Sequence, residues 1–458
     1  MLLDTWLEIV ADWKVVFAQG RTTRRAVRQA LGSLVCLGRR TLSRVIWTNG
    51  GEQRSWSAEY FLHSRASWDP QQLFTPVLER ALAGCPGRLV GVAVDDTRLR
   101  KTGLCIPQAF YQRDPLSPPF HWNLIRGLRF LQASLLLPLH RRGPVGSRAL
   151  PIRFEDAPAV KRPRRNAPPE LWQRYRELVK RLNLSCRFTQ MLGRLRQGLD
   201  RAGATDQILV IAADGSFCNR TVFSASRDRT EIIARARKDA VLCFRAPQPS
   251  RRFYAVEKFT PEQVRQNETI PWQITRLFYG GKWRRIRCKQ VRGVYWQGGA
   301  RRQPLRLFIV APTPYRKRNS GRLYYRRPAY LLTTDLSSSA KALLQIYFDR
   351  WQIEVNHREE KDTLGVGEAQ LWNETAVPKQ PVLVVAAYSA LLLASLMAFG
   401  AERSLAYAAL PKWRRNAKRP SCLDLITLLR KEMAEHPEML AAYGVQPSHQ
   451  GFVAAAAA

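Results

Sequence analysis

Apolar positions in the first 85 residues recur at a helical period. The opening "MLLDTWLEIVADWKVVF" is amphipathic, and "RTTRRAVRQALGSLVCLGRRTLSRVIW" (21–47) holds two short helical patterns broken near Gly32 and Gly38. From residue 88 the period drops to two. "RLVGVAVDDT" is a β-branched run ending in two aspartates, and "FHWNLIRG" and "RFLQASLLLPLH" follow as strands, a succession that predicts an antiparallel meander. Residues 141–169, basic and Pro-rich, read as a surface loop, and Glu170–Arg201 as one long amphipathic helix. "DQILVIAADGSFCN" then predicts a buried strand ending at Asp214 and Gly215, followed by a short helix and a strand at "DAVLCFRA". Residues 250–328 change character: Trp, Tyr, Arg and Gly dominate, and their alternation suggests short antiparallel strands. "AYLLTTDL" predicts another strand, and a helix opens at Ser337 and carries "YFDRWQIEVNHREEK" (347–361).

Strand-strand-strand-helix-strand-helix-strand, with one acid on the first strand and another at the end of the fourth, is the element order of a ribonuclease H-like α/β core. The expected division is a helical, DNA-binding region (1–86), the first part of the core (87–249), an inserted β-rich domain (250–328), the second part of the core (329–400) and a helical C-terminal region (401–458).

Charge narrows the partner. With 74 Lys and Arg against 36 Asp and Glu, the 458-residue chain carries +38, spread along its whole length, a field that attracts a polyanion. Arginines at 24, 25, 28, 39, 40 and 44 suit a helix-turn-helix with Thr41–Trp47 in its second helix. An acidic membrane surface is the rival partner, but "VLVVAAYSALLLASLMAF" (382–399), 18 residues rich in Ala and Ser, reads as a buried core helix. Eight cysteines without a C-x-x-C pair argue against zinc and against a disulfide framework, and no signal peptide is visible. A cytoplasmic, nucleoid-associated protein is expected.

At ~100° per residue, Tyr347, Arg350, Glu354 and Lys361 fall within an arc of about 60° on one helix. Such helices commonly carry i,i+4 pairs such as Arg350 with Glu354, so the stripe gains meaning only with the rest of the chain. Asp96 (or Asp95), Asp214 and Glu354 together are what a two-metal phosphoryl-transfer site needs, because hard Mg²⁺ ions take oxygen ligands. His357 and Arg358 lie on the flank of the stripe, and Lys101 follows the first aspartates closely.

The spacing Tyr347-x2-Arg350-x3-Glu354-x6-Lys361 resembles the Y-R-E-K signature of the DDE transposases of bacterial insertion sequences, the cut-and-paste group with a β insertion. "VDDT" and "IAADGSFCN" look like the family's two aspartate motifs, so the resemblance spans roughly residues 88–375. It implies Mg²⁺-dependent (Mn²⁺ substituting) cleavage of element ends in double-stranded DNA, strand transfer into target DNA, and a homodimeric synaptic complex. Asp96, Asp214 and Glu354 would then be the catalytic metal ligands, Asp96 being preferred over Asp95 because the following Thr matches the family's Asp-Thr pattern. Tyr347, Arg350 and Lys361 would grip phosphates, with His357 and Arg358 as further DNA contacts. Trp283, with Trp272 and Trp296 behind it, would stack on a flipped base. The alternatives are an inactive relative that binds ends without cutting, and a metal-dependent nuclease of the same fold.

Overall fold

The computed structural model describes residues 1–51, 55–114, 117–118, 120–139, 146–318, 320–414 and 417–446. The final "VAAAAA" lies outside the described residues, as do two positions of the basic stretch 411–420.

The N-terminal region is helical: α1 (Leu2–Ala11), α2 (Gly20–Val35), α3 (Leu42–Thr48), α4 (Ser57–Ser64) and α5 (Thr75–Leu82). On α2, Ala26, Val27, Ala30, Leu31 and Leu34 are buried, a spacing that puts one apolar stripe inward. The break expected at Gly32 is absent. A Cβ there would meet the Asn49 amide at 2.4 Å, so this glycine makes room for a packed side chain, and the chain turns at Gly38 instead. The helix after the turn, α3, has only seven residues and is capped by the Thr41 hydroxyl, which accepts from the Arg44 amide.

A ten-stranded mixed sheet follows. Its first strands are β1 (Leu89–Arg100), β2 (Phe110–Arg113), β3 (Leu124–Pro138) and β4 (Ser147–Asp156). The two strands expected between residues 120 and 140 are one, β3, antiparallel to β1. Gly127 lets it run unbroken beside its neighbour, since a Cβ there would sit 2.3 Å from the Leu99 carbonyl oxygen. Gly127→Ala should therefore cost about 1–3 kcal/mol, read as a lower denaturation midpoint at unchanged m-value. The third strand of the meander is β4, inside the stretch read as a loop. Its proline misled the pattern: Pro151 lies where the β3–β4 register shifts, on a strand whose other edge is unpaired, positions that tolerate a missing N–H.

The expected long helix is two, α6 (Pro169–Leu182) and α7 (Leu184–Arg201), separated by Asn183, whose side chain caps α7. Then come β5 (Ile208–Ala213), α8 (Arg220–Phe223) and β6 (Thr230–Arg235). The strand beside β5 is β6, not "DAVLCFRA", which forms only isolated bridges. The region 250–328 contains α9 (Pro261–Gln266), β7 (Gln273–Tyr279), β8 (Lys282–Tyr295), β9 (Pro304–Val310), β10 (Pro314–Arg316) and β11 (Leu323–Tyr325). The short antiparallel strands are present, but β7–β9 continue the main sheet through β12 (Ala329–Thr333), giving the order β2-β3-β1-β5-β6-β12-β9-β8-β7 with β4 also on β3; β10 and β11 form a separate hairpin. β5 is parallel to both β1 and β6, and β12 is antiparallel to β6.

The helix from Ser339 is bent at Arg350 into α10 (Ala340–Asp349) and α11 (Trp351–Arg358), and ends in a π-turn, Glu359–Thr363. α12 (Ala376–Phe399) is the long apolar segment. It is buried from Val382 to Ser395 and packs against α1, α2 and β4, so it is the core helix expected of it. α13 (Cys422–Glu435), with a capping box at Ser421 and Asp424, and α14 (Glu438–Ala441) close the described chain.

Candidate active site

Strand alternation decides which aspartate of the pair faces α10 and α11. Gly91, Ala93 and Asp95 share one face of β1. A Cβ on Gly91 would touch Ile346 at 3.2 Å, and Ala93 packs with Ile346 and Ile353, so small residues admit the helices to that face. Asp95 therefore points at the helix stripe: its Oδ2 lies 3.5 Å from Arg350 Nη1. Asp96 points the other way and is held by Arg129 at 2.8 Å and Arg98 at 3.5 Å. This corrects the preference for Asp96. The Asp-Thr pattern does not report facing, whereas Ala93 and Gly91, two and four residues before Asp95, mark the side on which the helices pack.

Asp214 follows β5 directly, one residue beyond Ala213, which pairs with Val94. Its Oδ1 accepts from the Ser216 amide and hydroxyl, at 3.0 and 2.6 Å, which fixes the carboxylate at the C-terminal end of β5. Asp95 and Asp214 are near enough for their charges to interact. Burial, then Asp214, raises the Asp95 carboxyl to about 7, while Arg350 opposes the shift.

Arg350 joins the carboxylates. Its Nη2 donates to Glu354 Oε1 at 3.0 Å and its Nη1 lies beside Asp95. Burial alone would lower this guanidinium, but Tyr347, Asp95, Glu354 and Asp214 outweigh it and raise its pKa. Tyr347 lies within charge range of Arg350, and its phenol is pushed up by burial. Lys361, in the π-turn, has its ammonium lowered by lost hydration while Glu360, Asp362 and Asp95 pull it back up. The structure thus brings Asp95 and Glu354 together on Arg350, with Asp214, Tyr347 and Lys361 within electrostatic reach of that group.

The residues flanking the stripe differ in exposure. His357 is buried beneath the stripe, and burial, then Lys361 and Arg350, lower it to about 3, so at neutral pH it is an uncharged ring rather than a surface cation. Arg358 is exposed. Lys101 is buried and donates to the Gly367 and Ala369 carbonyls at 2.5 and 2.7 Å, tying β1 to the chain beyond the π-turn. Trp283 stands partly exposed just past the Gly280–Gly281 turn, between Phe278, Arg276 and Lys341.

A cleft of about 590 Å³ adjoins the stripe, and Trp283 does not line it. Its walls are Tyr279, Tyr315, Tyr325, Arg235, Arg326 and Arg327, with Tyr347 and Arg350 also lining it. Sequence reasoning passed over these tyrosines because β10–β11 lies in the short link between β9 and β12. The signal was there: the 24 residues 311–334 hold no acid.

Among the described residues no three His, Cys, Asp or Glu side chains are gathered closely enough to hold an ion as they stand. Their chemistry nevertheless suits a hard divalent cation. Asp95 is held partly protonated at neutral pH by burial and the charge of Asp214, a repulsion that a cation would relieve. Arg350 Nη1, buried, has no hydrogen-bond acceptor, and the cleft offers guanidinium forks and aromatic faces. That combination suits a phosphodiester with its base.

No protein-family model matches the sequence, and no curated protein matches it. Among solved structures the chain is similar to a piggyBac transposase synaptic complex with hairpin DNA, determined by cryo-EM. The match covers 99% of this chain and 81% of that one, at 12% identity and a TM-score of 0.34.

Proposed function

We propose that the protein is a DNA transposase of the DDE kind, which cuts the ends of a mobile element and joins them to target DNA. The observation that carries this reading is Arg350 bridging Asp95 and Glu354 beside Asp214, at the mouth of a Tyr- and Arg-lined cleft. The strand order β4-β3-β1-β5-β6, three antiparallel strands followed by two parallel ones, supports a ribonuclease H-like core with its acids on β1, after β5 and on α11. Asp95, Asp214 and Glu354 would hold Mg²⁺, which supplies Lewis-acid stabilisation of the oxygens entering and leaving phosphorus.

The chain's own residues do the rest. Tyr347, Arg350 and Lys361 bind and orient the phosphodiester, and Arg350 keeps Glu354 and Asp95 turned toward one point. Tyr279, Tyr315 and Tyr325, rather than Trp283, are the aromatic faces available to a base displaced beside the cut. Double-stranded DNA is the partner, a homodimer the working assembly, and the bacterial nucleoid the site of action in this reading.

The test is incubation of the purified protein with a supercoiled plasmid carrying the gene's flanking DNA, with Mg²⁺, Mn²⁺ or EDTA, alongside Glu354→Gln. Metal-dependent cuts at both flanks followed by joined products are expected, and the variant should bind DNA without cutting it. Cutting without joined products would make the protein a nuclease. Binding without any cut would make it an end-binding protein, and cleavage by Glu354→Gln would remove Glu354 from the site.

A further inference from the structure

The β2–β3 hairpin carries aromatic side chains that no part of the fold uses. Phe120 is 91% exposed and Trp122 69% exposed, and Tyr111 and Leu124 are exposed beside them. This is costly to maintain in water, and contiguous exposed apolar groups mark interaction sites. Hydrogen bonds join its described residues. The Asp114 amide donates to the Asn123 carbonyl, the His121 amide to the Pro118 carbonyl, and the Asn123 amide to the Ser117 hydroxyl. Arg126 braces the base of the hairpin by donating to the Gly103, Leu104 and Ile106 carbonyls.

Register ties this surface to the carboxylates. Asp95 is paired with Gln132, and Tyr111 and Arg113 with Arg126 and Leu124. Counting by twos along β3, Leu124, Arg126 and Gln132 share one face, so the exposed side of the hairpin continues the face that bears Asp95. Leu124 lies eight residues from Gln132, about 27 Å at ~3.3–3.4 Å per residue. The arginines near the tip are Arg113 and Arg126, and Asp114 is its acid.

We propose that this hairpin is a duplex-DNA wedge: Phe120 and Trp122 insert between base steps and kink a duplex whose phosphates are held by the basic surface around them. Exposed apolar side chains on a strongly basic protein fit that partner, since such wedges unstack a step and bend DNA by roughly 20–90°. The inference rests on the DNA-processing reading of the site and adds to it a second contact that shapes the substrate.

The test uses the full-length protein and a linear duplex carrying a dye at each end. Wild type should bring the ends closer, seen as increased energy transfer. The double variant Phe120→Ala/Trp122→Ala, altered only at exposed side chains, should bind within about threefold of wild type, because phosphate contacts supply most of the affinity, and should lose the increase. Tyr111→Ala gives a second, milder variant with an intermediate signal. Undiminished bending by the double variant overturns the proposal, as does its conversion from dimer to monomer in sedimentation with bending intact, which would make the hairpin a contact between copies. Wild-type binding without bending overturns the wedge and leaves the carboxylate assignment standing, whereas failure to bind any DNA overturns both.

Discussion

Asp95→Asn should reduce metal-dependent DNA cleavage by at least about a thousandfold, the scale of losing one electrostatic element of a phosphoryl-transfer site, while Asp96→Asn should keep a measurable rate. The two residues are neighbours in sequence and equal in charge, yet the strand turns them to opposite faces. Asp95 looks at Asp214 and Arg350, and Asp96 at Arg129 and Arg98. Neutralising Asp96 releases two arginines on the far face, a modest structural loss. Neutralising Asp95 removes a carboxylate that contacts Arg350 and interacts with the charges of Asp214 and Lys361. Single-turnover nicking by the two variants, with DNA affinity measured in parallel, separates the effects. Comparable loss in both, or a greater loss in Asp96→Asn, would reverse the assignment.

That pair also shows how far the sequence could be read. The helix stripe was legible because it depends on angular spacing alone, and Tyr347, Arg350 and Glu354 keep it although the helix bends at Arg350. The strand-borne acids were legible as a pair but not individually, since motif matching ignores facing while Gly91 and Ala93 encode it. β4 was hidden by Pro151 at a register shift, and β6 by its short length of six residues between two loops. The membership of β7–β9 in the main sheet could not be read at all. Alternation reports that a segment is a strand, and only its partner, here β12 against β9, reports which sheet it joins.

Glu359→Ala should destabilise the protein by about 3–5 kcal/mol, the cost of leaving buried charge without its partner. Glu359 begins the π-turn five residues after Glu354, and its carboxylate accepts from the Tyr388 hydroxyl on α12 and lies 3.7 Å from Arg148 on β4. Arg148 and Tyr388 are buried, and the bonds continue inward: Asn356 donates to Tyr388 and to the Ala149 carbonyl, Ser134 donates to Asn356, and Gln132 donates to Ser134 and to Glu360. This chain of polar groups holds α11 between the sheet and the apolar helix, and so sets where Glu354 stands.

Its pH dependence separates its members. Burial raises Glu360 to about 8, so the folded state holds a proton there that the unfolded chain has released above the ordinary value of 4.5. Stability from this group is therefore present below pH 4.5 and is lost as pH rises toward 8. Glu360→Gln, which keeps an acceptor for Gln132, should leave the midpoint nearly unchanged at pH 5 and raise it at pH 8. Buried His357, lowered to about 3, acts in the opposite sense, losing stability as pH falls from 6.5 toward 3. Urea midpoints for wild type, Glu359→Ala and Glu360→Gln across pH 5–8 decide the matter. A flat difference between wild type and Glu360→Gln would mean that Glu360 is ionised in the fold, and a Glu359→Ala cost below about 1 kcal/mol, the range of an exposed pair, would mean that the network does not hold α11.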